Sequence, residues 1–376
     1  YTTPFNAKCM AANIVDCLRG TTDAPLSDCV LGASETCRLL NQHVKSEELN
    51  EVLNILVRFE IDEANCADAK ELARLTTCII RLCSAKEELG HTAFDYGTDL
   101  NDHIHSYCDI VKKTHPKVVQ NALKDFEVVR GICDFFIKEQ SKFVVEVLAD
   151  GIRTLCQYSD SIPSFLVETP LLMNVVSRLE NCPLENLSSY HTSLFTLIRA
   201  VLASENPPPI DVIQYLNKNL SPRLWLLTSN GYMDAISTLV MIHRWRIDGI
   251  GEEGVVQALK QGPNANIGSR LTESYIRDPS PYKFELLDGI FEDKDLVETI
   301  FYSNDIPVLL HICCDHLLNE EDVDLKKSIL RFFITAGRNG FFDDQTILAI
   351  NRCDVGDSLK EEAWKALIHK DTKHIA

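Results

Sequence analysis

Apolar residues along this chain recur at helical spacing. "SEELNEVLNILVRFE" sets Leu49, Leu53, Leu56 and Val57 at i, i+4, i+7 and i+8, one face of a helix. Ser46 stands ahead of Glu47 and Glu48, the order of an N-cap followed by acidic first-turn residues. "AKELARLTTCIIRLC" repeats the pattern with Leu72, Leu75, Ile79 and Leu82, and "KFVVEVLADGIRTLCQY" and "SLFTLIRAVLAS" do so again. Convincing alternating strands are absent. Asn339-Gly340 and Asp288-Gly289 lie beside helical patterns rather than between β-branched runs, so neither reads as a hairpin turn.

Prolines punctuate these helices. None occurs between Pro25 and Pro116, which makes that stretch a helical block, broken by polar residues around Gly90 and Gly97. Later breaks fall at Ser161-Ile162-Pro163, at Pro207-Pro208-Pro209 and at Gly249 to Gly254. They divide the middle of the chain into units of roughly 40 to 45 residues, the span of armadillo and HEAT repeats. The expected fold is all-α, an irregular armadillo/HEAT-like helical repeat solenoid. Residues 1–115 form an N-terminal helical region and 116–376 an armadillo-like repeat region, continuous with the first as one elongated domain.

Composition changes this picture little. The chain has 376 residues, enough to hide about three quarters of its unfolded surface without a disulfide or metal. A net charge of -18 sets aside nucleic acid and anionic membrane as main partners. Among 14 cysteines there is no CxxC pair, and Cys78, Cys133 and Cys156 sit on apolar helical positions. They read as free thiols acting as small hydrophobes in a reducing cytosol. That reading leaves the Asn-Leu-Ser triplets at Asn186 and Asn219 idle as glycosylation acceptors. No apolar run of about 18 residues predicts a membrane span. The N-terminus carries no signal pattern, and it opens on Tyr1 rather than Met, consistent with trimming.

Three stretches tempt a chemical reading. "HICCDH" gathers His311, Cys313, Cys314, Asp315 and His316, all zinc-ligand types. On a helix, however, Ile306, Leu309, Leu310, Cys313 and Leu317 form one apolar face. His311 then points about 140° away from His316, so the four side chains cannot meet at one metal. "HIHSYC", with His103, His105 and Cys108, fails for the same reason. "GIGEEG", Gly249 to Gly254, is a literal GxGxxG. It follows a helical pattern instead of a strand, and Glu252 and Glu253 would face the phosphates, so an inter-helix loop is expected. No cofactor or metal is expected, nor is enzymatic activity.

A further stretch, "HRWR", offers binding chemistry. Ile236, Leu239, Val240, His243 and Ile247 make the core face of its helix, with Trp245 nearly opposite, near Met241 and Ile242. Apolar residues on both sides mean a helix sandwiched between neighbouring repeats, or an exposed contact patch. Trp and Arg are enriched at interface hot spots, so Arg244, Trp245 and Arg246 are the candidate partner-binding residues.

One segment goes beyond periodicity. "FELLDGIFEDKDLVETIFYSNDIPVLLHICCDHLLN", Phe284 to Asn319, carries Leu286, Leu287 and Phe291, then Phe301 and Tyr302, then Asn304 and Asp305, then Val308 and Leu309. Asn304 or Asp305 is expected to cap a helix with Pro307 in its first turn, and Phe301 to staple its start. The segment resembles the C-terminal region of the WISH/DIP family, the SH3-adaptor relatives of animals and their shorter fungal members. The likeness covers about a tenth of the chain and extends more faintly through "LKKSILRFFITAGRNGFF". The sequence departs from that family at His311, where a carboxylate is usual, and at Cys313 and Cys314, where aliphatic residues are usual. With no SH3 domain or proline-rich segment, it looks like the short form.

The resemblance implies a non-enzymatic activator of the actin-related protein 2/3 complex. Such an activator needs no pre-formed filament, nucleates linear filaments and seeds branched networks, as at sites of endocytosis. Partners would then be that complex and, indirectly, actin, in the cytoplasm at cortical actin patches. A generic helical-repeat adaptor with another cortical or endocytic partner is the alternative.

Overall fold

The computed structural model describes residues 5–22, 24–58, 63–64, 66–88, 94–246, 254–262 and 266–371, without the side chains of 94–98, 357 and 366–371. Every regular element among them is helical. The chain divides by its contacts into two units, Tyr1–Leu166 and Val167–Ala376. The boundary expected at 115/116 lies inside the first unit, between two helices that both pack on a third.

The first unit holds α1 (Ala7–Thr22), α2 (Leu26–Val44), α3 (Glu47–Val57), α4 (Ala67–Glu88), α5 (Phe94–Lys113), α6 (Pro116–Leu123), α7 (Glu127–Lys138), α8 (Lys142–Cys156) and α9 (Ser161–Leu166). Helices α1, α2 and α3 pack on one another around Ala11, Val15, Cys29, Ala33, Cys37, Val52 and Leu56. Ser46 caps α3 as its sequence suggests, accepting the Leu49 backbone N–H at 3.3 Å. The buried stripe differs from the expected one. Val52 and Leu56 are its centre, Leu49 and Leu53 flank it, and Val57 is exposed, because one residue past Leu56 the helix has turned by about 100°. In α4 the expected Leu72, Leu75 and Ile79 are buried, Leu82 is half-buried, and Cys83 and Lys86 complete the stripe. Gly97, expected to mark a break, lies within α5, while Gly90 falls outside the described residues.

A three-helix rhythm governs the packing. Helix α4 stacks on α7 and α5 on α8, with the short α6 between the pairs. Pro116 occupies the first turn of α6, where its missing N–H costs nothing, and His115 caps that helix by accepting the Lys117 N–H. Asp68 ties three helices near their ends. It takes the buried Arg19 guanidinium of α1 at 3.2 Å and the Thr114 hydroxyl, just past α5, at 3.1 Å.

The second unit holds α10 (Leu171–Leu179), α11 (Ser189–Leu202), α12 (Ile210–Tyr215), a π-helical turn Leu216–Leu220, and α13 (Ser221–Ser229). Then come α14 (Met233–Arg244), α15 (Val255–Lys260), α16 (Ile267–Arg277), α17 (Pro281–Phe291) and α18 (Lys294–Ile300). It ends with α19 (Asp305–Asn319), α20 (Val323–Arg338), α21 (Asp344–Arg352) and α22 (Asp357–Asp371). Two ladders run through it. Helices α11, α14, α17, α20 and α22 stack in that order, and α13, α16, α19 and α21 form the second row. Short α15 and α18 supply the third helix of each repeat. Starts at Met233, Pro281 and Val323 advance by roughly 40 to 50 residues. This is an armadillo-like repeat, and the irregular length of each advance explains why the period is faint in the sequence.

Caps follow the same rhythm. Ser280, Asp293, Asp322 and Asp343 accept backbone N–H groups at the starts of α17, α18, α20 and α21. The core between the ladders is aromatic. Phe291 lies edge-on to Phe301, Phe332 and Phe341, with centroids 5.5, 4.9 and 5.4 Å away. Gly268 is required by this packing: a Cβ there would stand 2.6 Å from the Ile300 carbonyl oxygen.

Candidate functional site: the Arg244 to Arg246 corner

Helix α14 buries Ile236, Leu239, Val240 and His243, the expected core face; Ile247 falls outside the described residues. The helix ends at Arg244, and Trp245 is its C-cap. Trp245 turns back onto the unit rather than outward. Its indole Nε1–H donates to the Leu202 carbonyl at the end of α11, 2.9 Å away, and the ring is half-buried. The sandwiched arrangement therefore describes the indole. Ile242, on the side away from the core stripe, is fully covered as well.

The two arginines do different work. Arg246 donates from Nη1 to His243 Nε2 at 2.9 Å. Arginine has no acceptor, so this contact fixes His243 as a neutral imidazole with Nε2 unprotonated. Burial, reinforced by the Arg246 charge, pulls the His243 pKa down to about 4. Gly289 of α17 permits this, since a Cβ there would meet His243 Cε1 at 3.3 Å. Arg244 instead lies over aromatic rings. Its Cζ is 4.9 Å from the Trp245 centroid and 4.6 Å from that of Tyr282, which is 37% exposed. The sequence places Arg244 and Trp245 together. It could not place Tyr282, which reaches the corner from 38 residues away only because α14 and α17 stack.

The other candidates resolve into structure. In "HICCDH", Cys313 and Cys314 of α19 are both buried, and burial pushes the Cys313 thiol well above its usual range and Cys314 up to about 11. His311 pairs with Gln345 at 2.9 Å, and His316 with Glu320 at 3.0 Å, so the imidazoles diverge. Asn304 stands at the N-cap of α19 without a side-chain bond. Asp305 Oδ2 instead accepts the Tyr302 N–H at 3.2 Å, and Phe301 is buried against Phe291. In "HIHSYC", His103 bonds the Asp99 carbonyl, His105 is exposed and Cys108 is buried. Gly254 caps α15; the rest of "GIGEEG" lies outside the described residues. Among the described residues no three His, Cys, Asp or Glu side chains could hold a metal ion.

Two further features look chemical. Ser188 Oγ and His191 Nδ1 are 2.9 Å apart, the spacing of a nucleophile and its base. They form the capping box of α11, and Nδ1 faces the Ser188 backbone N–H as well. A cavity of about 320 Å³ is bordered by Phe195, Tyr232, Met233, Ser274 and Lys283. The Lys283 ammonium is already committed to the carbonyls of Ser274 and Asp278 and to the Asp278 carboxylate.

The sequence missed one buried ionic contact altogether. Lys86 of α4 and Glu139, the C-cap of α7, meet at 2.7 Å with side chains 3% and 1% exposed. Among the described residues no helix is long and apolar enough to cross a membrane.

No family model and no curated protein matches the chain. Among solved structures it is similar to an engineered protein from a structural genomics consortium, at 15% identity over 97% of this chain and 85% of that one, with a TM-score of 0.50. A designed armadillo repeat protein matches over 63% of this chain and 97% of that one at 13% identity, with a TM-score of 0.37. At these identities the likeness is one of chain path, and the assignment of an armadillo-like repeat rests on the helix ladders within this chain.

Proposed function

We propose that this chain works by binding, as a helical-repeat scaffold that activates the actin-related protein 2/3 complex. The observation that carries the reading is the segment from Phe284 to Asn319, whose resemblance to the WISH/DIP family spans α17, α18 and α19. Supporting it, the segment's landmarks Leu286, Leu287, Phe291, Phe301 and Leu309 are buried and specify a repeat, whereas Tyr302 and Val308, expected with them, are exposed and stand among the outward residues left to a partner. Ser188 and His191 are spent on a helix cap, Cys108, Cys313 and Cys314 on cores, and His311 and His316 on surface pairs.

The mechanism is a population shift. A stacked-helix surface that fits the active arrangement of the two actin-related subunits better than the inactive one moves the equilibrium by its difference in affinity. Moving a population from one in a hundred to ninety-nine in a hundred takes about 5.5 kcal/mol of such difference. The nucleus so formed needs no mother filament and grows unbranched.

The test is direct binding. Purified chain, immobilised, is exposed to purified actin-related protein 2/3 complex and, separately, to monomeric actin. Saturable capture of the complex is the expected result. Capture of neither, or of monomeric actin alone, contradicts the assignment.

A further inference from the structure

Arg244 uses its charge differently from the ion-paired arginines of its own unit and the first. Arg19, Arg199 and Arg270 each meet a carboxylate. Arg244 has its guanidinium over two aromatic rings and makes no hydrogen bond or ion pair to the described residues. Rings attract the cation through their faces but offer no lone pair to its N–H edge, so among the described residues the donor fork remains unspent. The rings are themselves held. Trp245 is tethered to the Leu202 carbonyl, and Tyr282 sits in the first turn of α17 directly after Pro281. An arginine so confined has already lost much of the side-chain freedom that binding would otherwise cost.

We propose that Arg244, clasped by Trp245 and Tyr282, is the receptor for a side-chain carboxylate in an acidic segment of the partner protein. One unspent guanidinium matches one carboxylate, in the two-pronged geometry that arginine and carboxylate share. The molecule's net charge of -18 repels every anion, an acidic segment as much as a nucleic acid, so the short-range two-pronged pair at Arg244 has to supply the affinity. Arg246 is not equivalent, because its Nη1 is engaged by His243. The trio Arg, Trp and Tyr is also the residue set most enriched at interface hot spots. This proposal deepens the protein-binding reading and rests on it.

The experiment titrates the full chain with two capped peptides, acetyl-tetraglutamyl amide and acetyl-tetraglutaminyl amide, whose carboxylates, where present, are side-chain ones only. Wild type is expected to bind the glutamyl peptide about tenfold more tightly than the glutaminyl one, the low end of what one charge-assisted hydrogen bond contributes. Arg244→Lys and Tyr282→Ala each weaken glutamyl binding several-fold, while Tyr282→Phe, which keeps the ring, does not. Thermal melts confirm that each variant is folded. Equal binding of the two peptides, unchanged binding by Arg244→Lys, or no saturable glutamyl binding by wild type overturns the proposal. If wild type binds the glutamyl peptide selectively yet never captures the actin-related complex, the partner assignment falls and this site stands. If it captures the complex but ignores the peptide, the reverse holds.

Discussion

Replacing Lys86 by Met tests how the first unit tolerates charge in its interior. The ammonium and the Glu139 carboxylate lie 2.7 Å apart, almost fully out of water. Burial alone would push the Glu139 pKa up, but Lys86 and the backbone N–H groups of Ser141 and Gln140 outweigh it, and the pKa is lowered. Those N–H groups donate to Oε1 at 2.7 and 2.9 Å. Lys86→Met keeps an aliphatic stem of similar length and removes the ammonium, together with its place 5.5 Å from the Phe135 ring centroid. Leaving a buried carboxylate without its cation costs about 3–5 kcal/mol. The two retained backbone donors place the expected loss near the lower end, about 3 kcal/mol.

The pH dependence separates this cause from a packing defect. In wild type the lowered pKa contributes stability that is present above the unfolded value and lost as pH falls through the folded one. In Lys86→Met burial is no longer offset by the ammonium, and the Glu139 pKa is expected to rise above its unfolded value. The sign then inverts: the variant's deficit is small below the unfolded pKa and grows as pH rises through the new folded pKa. Urea unfolding followed by far-UV circular dichroism at pH 4.5 and pH 7 measures both. A loss under about 1 kcal/mol, or one equal at the two pH values, would refute the reasoning. The double variant Lys86→Met/Glu139→Leu should recover most of the loss, because an apolar pair of similar volume needs no desolvated charge.

Other consequences follow from single contacts. Gly268→Ala drives a methyl against the Ile300 carbonyl and Phe301, and should lower stability by about 1–3 kcal/mol in a thermal or urea melt. Trp245→Ala removes the bond to Leu202 and one wall of the Arg244 clasp; it should lower stability and weaken glutamyl-peptide binding together, and a variant unchanged in both would remove Trp245 from the account. His243 has its pKa depressed to about 4, so it adds stability above its unfolded value near 6.5 that is lost as pH falls between the two. That loss amounts to about 3 kcal/mol and should flatten in His243→Gln, as read by unfolding at stepped pH. Alkylation of the native chain at pH 8 should mark exposed Cys9 and Cys17 and spare Cys83, Cys133 and Cys313 until denaturant is added, as peptide mass spectrometry would show.

What the sequence revealed followed from period. Cys313 could be placed in a core because Leu309, Leu310 and Leu317 share its stripe, and the structure buries all four. Ser46 could be recognised as a cap because hydroxyl-then-carboxylate order has a local cause. Period alone chose the wrong edge at Val57, since the stripes 49-53-56-57 and 49-52-53-56 are nearly equally apolar and only the positions of α1 and α2 decide between them. Lys86 was illegible because a buried charge is justified by its partner, and Glu139 stands 53 residues away. Tyr282 was illegible at the candidate site for the same reason. The short α15 and α18, with 6 and 7 residues, are too brief to show a period, so the three-helix repeat could be read only as irregular spacing.

We propose, then, that this scaffold acts on the actin-related protein 2/3 complex by binding alone. The most direct measurement is actin polymerisation followed by pyrene fluorescence, with purified complex, no pre-formed filaments and increasing amounts of the chain, and with the filaments imaged. A dose-dependent shortening of the lag that needs the complex, together with unbranched filaments, is the expected result. An unchanged lag at saturating chain, or an equal effect with the complex left out, would contradict it.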